Sequence, residues 1–471
     1  MTTSQVARPV TESEQAKPPA AAPLSREPGR VSRRWRRRPG PGRLTVRAVV
    51  AGALLALVCT MTVVGAVSVR HEITRLRTSV AERAAVADQL RFSLADLDAE
   101  RADTLAPGVV VIDQDHSEIV GNQINALITA KQRRAQVSDL LRQLSADTAH
   151  GTELREMLDA LGRYDDLSGR ASYVDDSSQV NGAPRAPGKP PVIAVAMNGE
   201  AGDLMKDTLL PKADRLSDEY QAETVHRQAL AHDAAVRWAL VIGLLGALTW
   251  VYLLWWQREL ARDYRRRLNP ALAVVTACVL AITLFGSLAL GAVTDAVTAA
   301  GREGLRPWNQ LAEARAVAAQ AAASESRWFV DKAFATQDAA EFSAMTKSLD
   351  SLLSPVGYAT DAELPAYRDV LSRYRQFLRD DKKLRQLYAE GNTNDAARLL
   401  TEVGRGEIGF DFWDFATTLD GLAGQQLADF TAHVDDARGS LDGWPAVPAG
   451  ALGFAAVLVL AGVRPRYAEY R

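Results

Sequence analysis

Six histidines and two cysteines are the residues of this 471-residue chain best suited to ligate a metal or attack a substrate. Their spacing supports neither. His71, His116, His150, His226, His232 and His433 show no metal-ligand repeat, and Cys59 and Cys278 both fall inside apolar runs. The carboxylate pairs Asp165-Asp166, Asp175-Asp176, Asp380-Asp381 and Asp435-Asp436 have the composition for acid–base or cation chemistry, but on helices they read most simply as solvated faces. Neither a phosphate-cradling glycine loop, nor a Gly-x-Ser-x-Gly elbow, nor a kinase signature is found. The expectation is a protein with no catalytic residues, no metal and no cofactor, hence not an enzyme. The charged residues whose spacing is informative are arginines. Arg258, Arg262, Arg265, Arg266 and Arg267 sit between two uncharged apolar segments, and eight more crowd residues 30–47.

The segments beside them explain the placement. Residues 48–69, 238–256, 271–293 and 444–463 are four runs of about 20 residues without an acidic or basic side chain. At 1.5 Å per residue each is long enough to cross a hydrocarbon layer of roughly 30 Å as a helix. Buried helices of a large soluble core would normally interrupt such runs with polar positions. Span one is too long for the 7–15 residue core of a signal peptide, in spite of the small residues 65–68. Basic residues are retained on the cytoplasmic side, which places the loop 257–270, the tail 1–47 and the tail 464–471 inside. Those pieces hold 19 basic and 6 acidic residues, a net +13, and the remainder carries −15. The near-neutral total therefore conceals two opposed halves. The expected protein is a multi-pass plasma-membrane protein with both termini cytoplasmic, a basic tail (residues 1–43) too poor in apolar residues to fold, and two exterior segments, 70–237 and 294–443. Membrane lipid accounts for the basic tail, so no nucleic acid is expected.

Outside the membrane the periodicity is helical. Val69, Ile73, Leu76, Val80, Arg83, Ala87, Leu90, Leu94 and Leu97 alternate spacings of four and three, and the register extends back through Ala66, Thr62, Cys59, Leu55 and Gly52. One helix is expected to run from span one into the exterior. Phe412, Ala416, Leu419, Ala423, Gln426, Phe430, His433 and Ala437 repeat the device toward span four. Residues 133–144 and 364–388 supply inner helices. The prolines and glycines of 181–191 predict a loop, at a far tip or an inner corner, and Pro211 predicts a kink within a helical pattern over 201–232. Residues 109–112 form a short strand candidate. The expected fold class is an all-α membrane protein with four transmembrane helices and two extracytoplasmic helical bundles of the four-helix sensor kind.

Two stretches of the first exterior segment, LGRYDDLSGRASY from Leu161 and GEAGDLMKDTLLPKADRL from Gly199, resemble actinobacterial four-span proteins of the GlnX type. In that pattern a Tyr-containing helix precedes a Leu-Met…Leu-Pro-x-Ala helix before span two, here Tyr164, Leu204, Met205, Leu210 and Pro211. In the second segment, ARAVAAQAAASESRWF from Ala314, with Trp328, and FDFWDFATTLDGL from Phe410, with Phe412, are similar to that family too. Residues 172–191 depart from its pattern. The resemblance implies a non-enzymatic transducer working with an extracytoplasmic solute-binding lipoprotein that senses aspartate or glutamate and with a soluble PknG-type Ser/Thr kinase. On that reading the five loop arginines are the candidate kinase contact, and topology retention is their simpler role. A receptor binding a small ligand directly in an exterior bundle and a structural envelope scaffold remain alternatives, and a homo-oligomer is compatible with all three.

Overall fold

The computed structural model describes residues 41–113, 116–181, 185–264, 270–354 and 359–468. Thirteen α-helices are found among them: α1 (Pro41–Arg75), α2 (Ala81–Asp103), α3 (Gln123–Leu144), α4 (Gly151–Asn181), α5 (Val192–Leu204), α6 (Leu210–Tyr264), α7 (Pro270–Ala299), α8 (Arg306–Val330), α9 (Ala335–Leu352), α10 (Leu364–Ala389), α11 (Thr393–Thr401), α12 (Ile408–Gly439) and α13 (Ala446–Ala468). The strand expected near 109–112 is β1 (Gly108–Val111), paired antiparallel with β2 (Ser117–Val120). Of the tail expected to be unfolded, residues 1–40 lie outside the described residues, and 41–43 already belong to α1.

Three helical paths, Thr45–Arg75, Val192–Arg262 and Pro270–Val330, are long and apolar enough to cross a membrane. The apolar stretch of α13, Ala446–Ala461, is shorter. All four pack together: Leu55 and Val58 of α1, Trp256 of α6, Val275 and Val279 of α7, and Ala455 and Val459 of α13 share one buried cluster. Their other faces expose Leu244, Leu248, Phe285, Leu288, Phe454 and Val457. Large apolar residues turned outward around a packed centre are what a lipid environment favours.

A wide, π-helical turn follows the first path at Leu76–Val80, and one lies within each of the other two, outside the apolar stretch, at Met205–Leu209 and Ala300–Leu305. The second lies just ahead of Pro211, which has no N–H for the carbonyl four residues back. The wider turn lies at the position of the expected kink, and the helical path continues through it from α5 into α6. In the third, the side-chain amide of Gln228 on α6 donates to the Val297 carbonyl at 3.0 Å. Gly304 is required there, because a Cβ would lie 2.6 Å from the Phe430 backbone of α12. The expected seam is buried at Val69, Ile73, Leu76, Val80, Ala87, Leu90, Leu94 and Leu97, and departs at one position just after the first turn. Ala84 is buried in place of Arg83, whose guanidinium instead reaches Asp147 at 2.9 Å. On α12 the expected Leu419, Ala423, Gln426, Phe430 and Ala437 are buried, while Phe415 and Val434 are buried where Phe412, Ala416 and His433 stand at the margin.

Segments 70–237 and 294–443 share one core. Leu90, Leu94 and Leu97 of α2, Tyr164 of α4, Leu311 and Phe329 of α8, and Phe415 and Phe430 of α12 belong to a single buried cluster. The proline-rich loop is an inner corner. The Gly188 N–H donates to the Ala106 carbonyl at 2.9 Å, and at φ +67° a side chain on that residue would meet the Phe329 ring.

Candidate functional site

A helix with one apolar stripe can bury one side. Yet residues 90–99 of α2 are buried on every side, including Arg91, Ser93, Asp96 and Asp98. These charges face α8 of the second exterior segment, where the run of small residues from Ala312 to Ala323 lets the two backbones come close. Removing a charge from water costs several kcal/mol unless it is paired, so each of these residues needs a partner across the contact.

The partners are arginines, and three of them, Arg91, Arg315 and Arg327, join the two segments. Arg327 of α8, 8% exposed, binds Asp98 of α2 and reaches Asp338 of α9 at 3.4 Å and Glu341 at 4.0 Å. Lys206, on the π turn before α6, closes the group with Glu341 at 2.7 Å and Asp338 at 3.6 Å. The Tyr164 hydroxyl donates to Asp98 at 3.3 Å. Farther along α2, Arg91 bridges Asp214 of α6 and Glu313 of α8. Arg315 of α8 reaches Gln89 of α2 and Asp420 of α12, both at 2.8 Å, and lies 4.7 Å from the Phe92 ring centre. Arg133 of α3 holds Asp96 and lies over the same ring at 5.6 Å.

Burial outweighs these partners for several carboxyls. It lifts Asp88 to about 6, although Ser217, Gln221 and Arg91 pull the other way, and it lifts Asp103 to about 7. Glu100 and Glu325 are driven well above the ordinary carboxylate range, by burial first and then by Asp103 and by Asp381 respectively. At neutral pH the seam therefore keeps part of its acid protonated.

Beside the Phe92 ring a half-open cavity of about 520 Å³ separates α2 and α3 from α8 and α12. Phe412 and Trp413 form its apolar wall, and Arg133, Arg315, Asp96 and Glu100 its polar one. Among the described residues, no group of three or more His, Cys, Asp or Glu side chains could hold a metal ion.

The candidate residues fall into three places. Tyr164, Met205 and Leu210 are buried in the exterior core, with Leu204 and Pro211 partly buried beside them. Trp328 stacks on Tyr388 at 5.1 Å next to Arg327, and Phe412 lines the cavity. Arg258 and Arg262 are exposed at the end of α6, whereas Arg265, Arg266 and Arg267 lie outside the described residues. Two carboxylate pairs are not the solvated faces expected of them. Asp175 is fully buried against Arg185, at 2.5 and 2.7 Å, and Asp380 and Asp381 are buried on α10. The seam arginines Arg91, Arg315 and Arg327 were not singled out by spacing. Their signal was indirect: an alanine-rich helix can be enclosed on all sides, so charges on it must be paired.

Residues 72–229, which span α2 to α5 and the exterior part of α6, match the family described as actinobacterial sensor domain. Neither the curated proteins nor the solved structures contain a match. The chain thus carries a sensor-type segment beside three helices able to span a membrane.

Proposed function

We propose that the protein is a non-enzymatic transmembrane signal transducer, with its exterior core outside the cell and both ends of the chain in the cytoplasm. One observation carries this reading: α2, α5 and α8 of the exterior core each run through a π turn into an apolar helix without a break in the helical path. A shift between the exterior segments has a rigid route to the inner face, provided the core has two packings close in energy. On this reading α13 is the fourth crossing. The resemblance to GlnX-type proteins supplies the partners: a solute-binding lipoprotein outside and a soluble Ser/Thr kinase inside, with the arginines from Arg258 to Arg267 as the inner contact.

The relay is tested in cells by phosphorylation of the kinase's substrate in response to external amino acid. Deleting the gene should abolish the response, and an unchanged response would remove the relay. Replacing Arg265, Arg266 and Arg267 together by glutamine should weaken the response with insertion intact. If the response stays at the wild-type level, the arginines serve topology alone.

A further inference from the structure

We propose that the cavity between α2, α3, α8 and α12 binds a small zwitterion, an amino acid or short peptide, whose carboxylate is taken by the Arg133 and Arg315 end and whose ammonium is taken by Glu100. The proposal rests on the sensor reading and gives this chain a ligand site of its own, in addition to the lipoprotein partner. At about 520 Å³ the space is within the range of small-molecule sites.

The two ends of the cavity are chemically different. Phe92, Asp96 and Glu100 recur every four residues on α2 and so line one face, with about 12 Å of helix axis between the first and the last. Two guanidinium groups gather over Phe92. Arg315 is largely buried, and its Nε is a buried donor with no acceptor among the described residues. Two turns away, the Glu100 side chain lines the cavity, with Arg133 as the cation that acts on it. A lone carboxylate ligand would answer the arginines and leave Glu100, raised by burial, without a cation to draw it into its charged form. A lone amine would answer Glu100 and leave the arginines unchanged. A molecule carrying both groups satisfies both ends, and Phe412 and Trp413 offer its carbon skeleton an apolar wall.

The position suits a sensor. Gln89, at the membrane-facing end of the cavity, lies 20 residues beyond Val69, so the site is about 30 Å outside the membrane. Its walls belong to helices that lead to different membrane helices: α2 to α1, α8 to α7, and α12 to α13. A ligand held by α2 and α8 together acts on the contact that joins the two exterior segments.

The test is calorimetry and thermal shift on the full-length protein in nanodiscs, with the proteinogenic amino acids, γ-aminobutyrate and glycylglycine as probes. Glutarate, without an ammonium, and cadaverine, without a carboxylate, are the controls. At least one zwitterion should bind saturably, and the controls should bind at least tenfold more weakly. Glu100→Gln should weaken that zwitterion about tenfold or more, the loss of one charge-assisted contact. Thr417→Trp, which fills the cavity from an exposed position of α12 without touching a charge, should abolish binding and leave the melting temperature unchanged. Absence of binding by every zwitterion, equal binding of the controls, or wild-type binding by both variants would overturn the site. If the variants lose binding yet keep the wild-type kinase response, the site stands and its coupling to the relay is removed. A relay that persists with no binding by the wild type would remove the site alone.

Discussion

Replacing Arg327 by methionine tests whether the charged seam behaves as argued, because the variant keeps the bulk of the side chain and removes its charge. Asp338 retains Lys206 at 3.6 Å, so the loss falls on Asp98, 6% exposed and left with the Tyr164 hydroxyl and the more distant charge of Lys206. Orphaning one member of a buried pair costs about 3–5 kcal/mol. Protonation sets a ceiling on that cost. Taking a carboxyl of ordinary pKa about 3.9 to its neutral form costs about 1.36 kcal/mol per pH unit above that value, hence about 5 kcal/mol at pH 7.5 and about 2 kcal/mol at pH 5.5. In the variant the folded state binds a proton that the unfolded chain releases, so the deficit grows as pH rises and shrinks as it falls. For a core of this size each kcal/mol corresponds to roughly 2–4 °C. Melting of the purified protein should therefore drop by on the order of 10 °C relative to wild type at pH 7.5 and by less than half of that at pH 5.5. Adding Asp98→Asn should recover most of the loss at pH 7.5. An equal drop at both pH values, or no recovery in the double variant, would refute the claim that an uncompensated Asp98 is the cause.

Two further outcomes follow from the same core. Asp88 and Asp103 are raised to about 6 and about 7, so the native state holds protons that the unfolded chain has released. Wild-type stability should fall as pH rises from about 5.5 to about 8, Asp103→Asn should flatten that slope, and a slope indifferent to the substitution would show that Asp103 does not titrate there. Gly304→Ala places a methyl group 2.6 Å from the Phe430 backbone and should cost about 1–3 kcal/mol in denaturation, whereas Gly424→Ala, with open space around it, should be neutral or stabilising by up to about 1 kcal/mol.

What was legible in the sequence is what periodicity and charge sorting encode. The apolar runs, the passage of one helix from span to exterior and the inner helices near 133–144 and 364–388 all depend on local pattern. Register was legible over most of the first helix, where Val80, Ala87, Leu90, Leu94 and Leu97 are buried as their spacing predicts, and it failed only next to the π turn at Leu76–Val80, where Ala84 took the place of Arg83. The candidate site was the least legible part. Its charges come from helices more than 200 residues apart, Asp98 with Arg327 and Arg91 with Glu313, and no local window contains both members of either pair. Asp175 shows the same blindness at short range, since a loop folded back as an inner corner is what brings Arg185 onto it.

The composition of the seam bears on how a transducer could work. Buried ion pairs add little stability over well-packed apolar residues of the same volume, so stability does not explain why α2 and α8 meet through charges. An apolar contact also has one best fit, and sliding away from it forfeits packing steadily. In the seam each cation has several anions near it: Arg327 has Asp98, Asp338 and Glu341, and Arg91 has Asp214 and Glu313. A small shift of α8 along α2 can exchange one of these partners for another without orphaning a charge, and the carboxyls held near neutrality can take up or release a proton to balance the exchange. Such a contact can hold two arrangements of similar energy, the property that the proposed relay requires of its exterior core.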